Sequence, residues 1–179
     1  RSAGVKALAK LGPTGIAKHA AALAPLLAPN EDKGVQASAL EVLVKMDVTM
    51  DPTARAMLTQ PIIALVAPTI DKDVQLAALR SLAKMGPSAL IVVPDSDIAA
   101  LVDERHPSDV RCAALDVMAA FAPVTLEKHR PLLFEHIDVV QDTNGAALLA
   151  IGALEPPLNR EFAGQLAALT EHVRGPRSP

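Results

Sequence analysis

The sequence predicts an all-α solenoid of about four to five stacked helical hairpins, and three observations support that fold class. A phrase that opens with Ala-Pro and closes with Val-Gln occurs at residues 28–36 and again, 39 residues later, at 67–75. Each copy opens a stretch with the apolar spacing of an amphipathic helix, and related stretches precede and follow both copies. Repeats of this length are typical of solenoids, in which each unit contacts only its neighbours.

The second helix of each unit, here called the B helix, has a regular apolar face. When the units are aligned, mostly apolar residues recur at positions 0, 4, 5, 8 and 11. These offsets fall on one side of a helix that turns 100° per residue, so we predict that this face is buried. The aligned residues are Val35, Ala39, Leu40, Leu43 and Met46; Val74, Ala78, Leu79, Leu82 and Met85; Val110, Ala114, Leu115, Met118 and Phe121; and Thr143, Ala147, Leu148, Ile151 and Leu154.

A more variable apolar segment, here called the A helix, precedes each B helix. Segments 24–27, 60–63 and 130–133 each contain a proline followed by two bulky aliphatic residues. Proline inside a helix removes one backbone hydrogen bond, so we predict kinked A helices. The third unit differs because its β-branched run ends in a proline, and we expect its A helix to begin at Asp95 or Ser96, with Ser96 as the cap.

These units resemble the HEAT-repeat family of armadillo-like solenoids, whose B helices commonly open with Asp, Val and Arg. Residues 109–111 match that opening fully, residues 73–75 match it in part, and residues 34–35 and 142–143 match it weakly. The resemblance covers nearly the whole chain. It implies a fold and carries no chemistry of its own.

We expect a single solenoid domain over residues 1–173, with a disordered tail or linker at 174–179. The chain begins inside a B-helix pattern without an initiator methionine, so we expect a piece of a longer polypeptide or of a multi-subunit assembly. Gly-Pro pairs at 12–13 and 86–87 are stop signals. The predicted units are a truncated repeat at 1–12, repeats at about 13–47, 48–86, 87–122 and 123–155, and a final helix at about 157–173.

Composition excludes several classes of protein. Half of the residues are hydrophobic, yet the chain has no Trp or Tyr and only three Phe, so the core must be aliphatic. No apolar run reaches the roughly 18 residues of a membrane span. The net charge of −3 argues against a dedicated nucleic-acid binder. The single cysteine, Cys112, excludes an internal disulfide, and we expect an intracellular, most simply cytoplasmic, protein, with an organelle left open.

Charged residues recur at two positions of the B helices and form the first candidate binding surface. Positions 6 and 10 lie four residues apart on one helix face. In HEAT-like solenoids the B helices line the concave side, so the resemblance implies a basic ladder there. We expect an acidic peptide or helix of another protein subunit to bind this ladder, and the alternative is a solvated face without a partner. The residues are Lys10, Lys45 and Lys84 at position 10 and Lys6, Glu41 and Arg80 at position 6, with Arg111 as a further candidate.

The turns between A and B helices form a second candidate surface. Lys33 and Lys72 occupy matching places in the repeated phrase, and Arg105 lies in the third turn. Tubulin-binding TOG domains are HEAT-repeat proteins that present basic residues from such turns, so the resemblance leaves a tubulin-binding or microtubule-binding module as an alternative. A HEAT-like phycobilin lyase is a second, less favoured alternative.

The sequence carries no recognisable catalytic or metal-binding motif. It lacks a Gly-rich phosphate loop, a nucleophile elbow, Cys-x-x-Cys and His-Glu-x-x-His. His129 and His136 would stand about 10 Å apart along a helix, too far to bind one ion together. We therefore predict a non-enzymatic scaffold or adaptor without a cofactor or metal. It would bind other proteins through the concave B-helix face, and its structural rival is a rigid spacer that docks by its ends.

Overall fold

The computed structural model describes residues 20–44, 52–133 and 150–151. These residues form helices joined by turns, with no strand among them. The predicted α-solenoid class is therefore confirmed. In chain order the helices are α1 (Ala20–Leu23), a 3₁₀ helix (Ala24–Leu27), α2 (Lys33–Val44), α3 (Pro52–Ala64), α4 (Lys72–Met85), α5 (Pro87–Leu90), α6 (Asp95–Ala100), α7 (Ser108–Ala119) and α8 (Pro123–Lys128).

The helices form two layers. The B helices make one layer, in which α2 packs against α4 and α4 packs against α7. On the A side, α1 packs against α3, and α3 contacts α5. The layers are joined because α3 packs on α4 and α6 packs on α7. Contacts of this kind between neighbouring units are the basis of a solenoid's stability.

The apolar face predicted for the B helices forms the core between these layers. All five aligned positions of α4 are buried, as are positions 0, 4, 5 and 8 of α2 and of α7, and Phe121, the fifth residue of the third unit, is buried just beyond the end of α7. The burial prediction is therefore confirmed for these three helices. Burying a valine or leucine side chain contributes about 1.5–3 kcal/mol, so the burial of this face favours the folded state substantially. The A layer contributes Leu58, Ile62, Ile98, Leu101 and Leu126, each exposed by no more than 2%.

A buried hydroxyl also joins two B helices. The Ser81 side chain on α4 donates a hydrogen bond to the backbone carbonyl of Leu40 on α2, with an O–O distance of 3.3 Å. It also lies 2.8 Å from the carbonyl oxygen of Ala77 in its own helix. Because Ser81 is 1% exposed, these contacts satisfy a polar group that burial would otherwise penalise.

Three prolines act differently on the A layer. Pro25 lies in the 3₁₀ helix that directly follows α1, so the helix type changes beside it. Pro61 lies inside α3, which continues through it. Near Pro131, the helix is interrupted at His129, where α8 ends. The shared sequence pattern therefore occurs in three different local geometries.

The third A segment agrees with the sequence prediction at its first residue but not at its cap. Helix α6 begins at Asp95, as predicted, and follows Pro94 at the cap position. The prediction that Ser96 caps this helix is wrong. Because the helix has already begun, the Ser96 hydroxyl lies inside the first turn and contacts Asp97 Oδ1 at 3.4 Å.

An additional short helix, α5, precedes that segment and was not predicted. It begins with Pro87, whose fixed φ suits a first helical turn. Ala89 and Leu90 are buried and anchor it to the core. The following Ile91 and Val92 are exposed by 82% and 54%, so the chain turns outward there.

A glycine separates α4 from α5. Gly86 has φ 76° and ψ 175°, a combination that only glycine adopts without strain. The stop signal predicted at 86–87 is therefore confirmed.

Several predicted features lie outside the described residues. They are the truncated repeat at 1–12, the stop signal at 12–13, the final helix at 157–173, the tail at 174–179, most of the fourth B helix, and the residues Lys6, Lys10, Lys45, Met46 and His136.

Candidate functional site

The exposed side of the B helices carries small residues and a row of charged ones. Ala37 on α2 and Ala77 on α4 are partly exposed between the charges. Position 6 holds Glu41 on α2, Arg80 on α4 and Asp116 on α7, and all three are exposed. Since position 6 recurs on successive packed helices, these residues form a row across the layer with signs minus, plus and minus. We call Glu41, Arg80 and Asp116 the charge row.

The charge row is electrostatically coupled across the contact between α4 and α7. Partial burial raises the pKa of Asp116, and the nearby positive charge of Arg80 opposes that rise. The two side chains do not form a direct ion pair. Among the described residues, Glu41 and Arg80 also make no salt bridge to any other side chain. In the described part of the chain, all three charged groups are thus exposed and without a direct ion pair.

A groove between α2 and α4 runs beside the charge row. Its volume is about 520 Å³. Alanine and aliphatic side chains make up most of its lining, and charged side chains border it, so it presents a narrow apolar surface with polar edges. The lining residues are Ala37, Glu41, Val44, Asp73, Leu76, Ala77 and Arg80.

Only part of the predicted lysine ladder lies within the described residues. Lys84 is exposed at position 10 of α4, one turn after Arg80. Position 10 of the next unit is Ala120, so the ladder does not continue onto α7. Asp116 was absent from the predicted site, although aligning position 6 with the third unit would have identified it. The charges of the described face therefore alternate in sign and are not uniformly basic.

The turn lysines proposed as a second surface pair with carboxylates of the next repeat. Lys33 Nζ lies 2.9 Å from Asp71 Oδ2. Lys72 Nζ lies 2.7 Å from Asp109 Oδ2. The hydrogen bond from the paired lysine is the main cause that lowers the pKa of each aspartate. Both lysines therefore link the starts of consecutive B helices.

Arg105, the third turn residue, also has an acidic partner. Its Nε lies 2.8 Å from Asp103 Oδ1, and its Nη2 lies 3.1 Å from Oδ2. This bidentate contact, helped by the Arg105 backbone N–H, lowers the pKa of Asp103 to about 2. Arg105 is 86% exposed in its side chain, so the pair is a solvated local contact.

Position 1 of α2, α4 and α7 holds a polar side chain that is buried. Gln36 Nε2 donates to the Ala28 carbonyl at 2.6 Å, and Gln75 Nε2 donates to the Val66 carbonyl at 2.7 Å. Each glutamine thereby closes the turn that precedes its own helix. Arg111 occupies the same position and is 8% exposed, and its Nε has no hydrogen-bond partner among the described residues. Its burial places Arg111 inside the stack and away from the exposed face.

No metal site is found in the described part of the chain, where no three His, Cys, Asp or Glu side chains cluster suitably. His129 instead contacts a carboxylate, with its Nε2 3.0 Å from Asp95 Oδ2. That contact joins the end of α8 to the start of α6 and lowers the pKa of Asp95. Within the same residues, every helix is too short or too polar to cross a bilayer.

Two solved structures are similar to this chain. The first, an engineered protein, has a TM-score of 0.66 and 19% sequence identity, over 85% of this chain and 72% of that chain. The second is a designed armadillo repeat protein in complex with the peptide (KR)4. It has a TM-score of 0.67 and 18% sequence identity, over 95% of this chain and 82% of that chain. No protein-family model and no curated protein matches the chain. The two structures show that this chain has an armadillo-like or HEAT-like repeat fold.

Proposed function

We propose that the chain is a non-catalytic protein-interaction module that binds a segment of a partner protein along the exposed face of its B helices. The observation that carries this proposal is the charge row beside an open groove. Glu41 and Arg80 have no salt-bridge partner among the described residues, although both border the groove. Accessible charges on an exposed helix face can select a partner and its register by electrostatic complementarity.

The similar designed protein adds support to this proposal. It was solved in complex with the peptide (KR)4, so a repeat architecture of this kind can accommodate a peptide. The groove between α2 and α4 has the small, partly apolar lining that lets a polypeptide backbone approach closely. On this chain, Arg80 and Lys84 would provide the attraction for the acidic side chain that the sequence analysis expects of the partner.

The turn edge has less support as the binding surface. Lys33, Lys72 and Arg105 each pair with a nearby carboxylate, which reduces the positive potential that an acidic partner would meet. Exposed ion pairs of this type are weak, so a partner could still displace them. If the chain instead binds tubulin through the turn edge, replacing Arg105 should weaken binding more than replacing Arg80 does.

Selection from a random peptide library, displayed on phage, tests the proposal directly. Recovered peptides would be measured against the chain, a B-face variant with Arg80→Glu and Lys84→Glu, and a turn-edge control with Arg105→Glu. We expect them to lose affinity for the B-face variant, to keep it for the control, and to bind less tightly as salt rises. The proposal fails if no peptide is recovered, or if the recovered peptides bind the B-face variant as tightly as the unmodified chain.

A further inference from the structure

We propose that the charge row recognises an extended peptide whose charges alternate in sign at every third residue, with lysine or arginine opposite Glu41 and Asp116 and aspartate or glutamate opposite Arg80. This inference rests on the proposed function, and it specifies the chemistry of the partner segment.

The spacing of the B helices sets the spacing of the peptide charges. Packed helices stand about 8–10 Å apart, so neighbouring members of the charge row are separated by about that distance along the layer. A chain in the polyproline II conformation advances about 3.1 Å per residue and completes one turn in three residues. Every third side chain therefore returns to the same face, and three residues cover one helix-to-helix step. A polyproline II segment thus matches the spacing of the charge row.

The signs of the row determine which charges the peptide carries. A uniformly acidic peptide, which the lysine ladder alone would favour, places carboxylates opposite Glu41 and Asp116. Like charges at close range are unfavourable, and complementary charges fix the register of a bound segment. Lys84 adds a second positive charge one turn from Arg80. This charge strengthens the preference for an acidic residue at the centre of the bound peptide. Asp73 borders the groove two turns before Arg80, at the other end of α4.

Three synthetic heptapeptides of simple composition test the pattern. The first has lysine at positions one and seven and glutamate at position four, with glycine and serine elsewhere. The second permutes the same residues so that the lysines occupy positions one and four. The third reverses the signs, with glutamate, lysine and glutamate at the charged positions. All three peptides are acetylated at the N-terminus and amidated at the C-terminus, which removes the terminal charges. Because the first and third peptides are then symmetric in charge, the test does not depend on the direction in which they bind.

Affinities would be measured by NMR titration of the chain at low salt. We expect the first peptide to bind the chain about fivefold to tenfold more tightly than either of the others, the range for a few exposed charge pairs. A charge-swapped variant with Glu41→Arg, Arg80→Glu and Asp116→Arg should prefer the sign-reversed peptide. A neutral variant with Glu41→Gln, Arg80→Gln, Lys84→Gln and Asp116→Asn should bind all three alike. Circular dichroism of each variant would verify the fold.

Equal affinities of the three peptides for the unmodified chain, or no binding of any of them, would overturn the inference. An unchanged preference in the charge-swapped variant would also overturn it, because another surface would then read the charges. These failures are separate from failure of the proposed function. If library peptides still depend on Arg80 and Lys84, the B-helix face binds a partner, but by a different chemistry.

Discussion

Lys33 Nζ lies 2.9 Å from Asp71 Oδ2, although the two residues are 38 positions apart in the chain. Asp71 also accepts a hydrogen bond from the backbone N–H of Asp73, which caps the start of α4. One carboxylate therefore begins a B helix and ties that helix to the previous repeat. Lys72 makes the same connection to Asp109 one unit later. These turn contacts thus help to align the starts of consecutive B helices in the stack.

These turn contacts predict a specific response to acid. The pKa of Asp71 is lower in the folded chain than its ordinary value of 3.8, so its stabilising contribution is present above that value. The contribution is lost as the pH falls through the folded-state pKa. We expect Asp71→Asn, which can still cap the helix, to reduce the acid-induced fall in Tm between about pH 5 and pH 2. Asp97→Asn, at an exposed site in α6, is the control.

Thermal unfolding followed by circular dichroism at a series of pH values measures this effect. If Asp71→Asn and Asp97→Asn change the pH dependence of Tm to the same extent, the Lys33–Asp71 contact has no special role in stability.

The buried Gln75 of α4 should contribute more to stability than an exposed glutamine elsewhere in the chain. Replacing Gln75 by methionine keeps a similar side-chain length and leaves the Val66 carbonyl without its hydrogen bond. We expect Gln75→Met to lower the free energy of unfolding by about 1–3 kcal/mol. Gln60→Met, at an exposed site on α3, should change it by no more than about 0.5 kcal/mol. Urea unfolding would compare the two, and equal effects would contradict the assigned role of Gln75.

Gly86 should resist replacement for a conformational reason. A Cβ atom built at Gly86 meets no other atom within 4 Å, so steric overlap with neighbours is not the obstacle. The positive φ with an extended ψ is the obstacle, and we expect Gly86→Ala to destabilise the chain by about 1–3 kcal/mol. Urea unfolding measures this change as well. A neutral or stabilising result would mean that the junction between α4 and α5 adopts another backbone conformation.

The core should respond strongly to a cavity at the centre of the B layer. Leu79 has no solvent exposure and lies at position 5 of α4. We expect Leu79→Ala to cost about 2–5 kcal/mol of unfolding free energy, whereas Val124→Ala should cost no more than about 0.5 kcal/mol. Val124 is 74% exposed on α8, which makes it a suitable apolar control. Comparable losses in both variants, measured by chemical denaturation, would contradict the described packing.

The fold was predictable from the sequence because the B-helix core depends on local periodicity. Val74, Leu79 and Leu82 follow the helical period, and no long-range information is needed to place them on one face. Helix starts were less predictable because they depend on one residue. Serine is a common capping residue, which is why Ser96 was expected to cap this helix. The helix already begins at Asp95, one residue earlier, so Ser96 lies inside its first turn.

The candidate site was only partly predictable because its properties arise between repeats. The sequence around Lys33 does not show whether its side chain contacts a partner protein or Asp71. Only the stacking of two turns brings Lys33 and Asp71 together. Arg111 matches the opening of a HEAT-like B helix, yet position 1 is buried, as Gln36 and Gln75 also show. Asp116 could have been found by extending the alignment of position 6 into the third unit.

In this proposal, the exposed face of the B helices binds a peptide. The most direct measurement is an NMR map of backbone amide shifts as the heptapeptide with lysine, glutamate and lysine is added to the isotope-labelled chain. We predict that the shift changes concentrate on the exposed sides of α2, α4 and α7, around Ala37, Ala77 and Asp116. Shift changes confined to the turns around Lys72 and Arg105, or no saturable change anywhere, would contradict the claim.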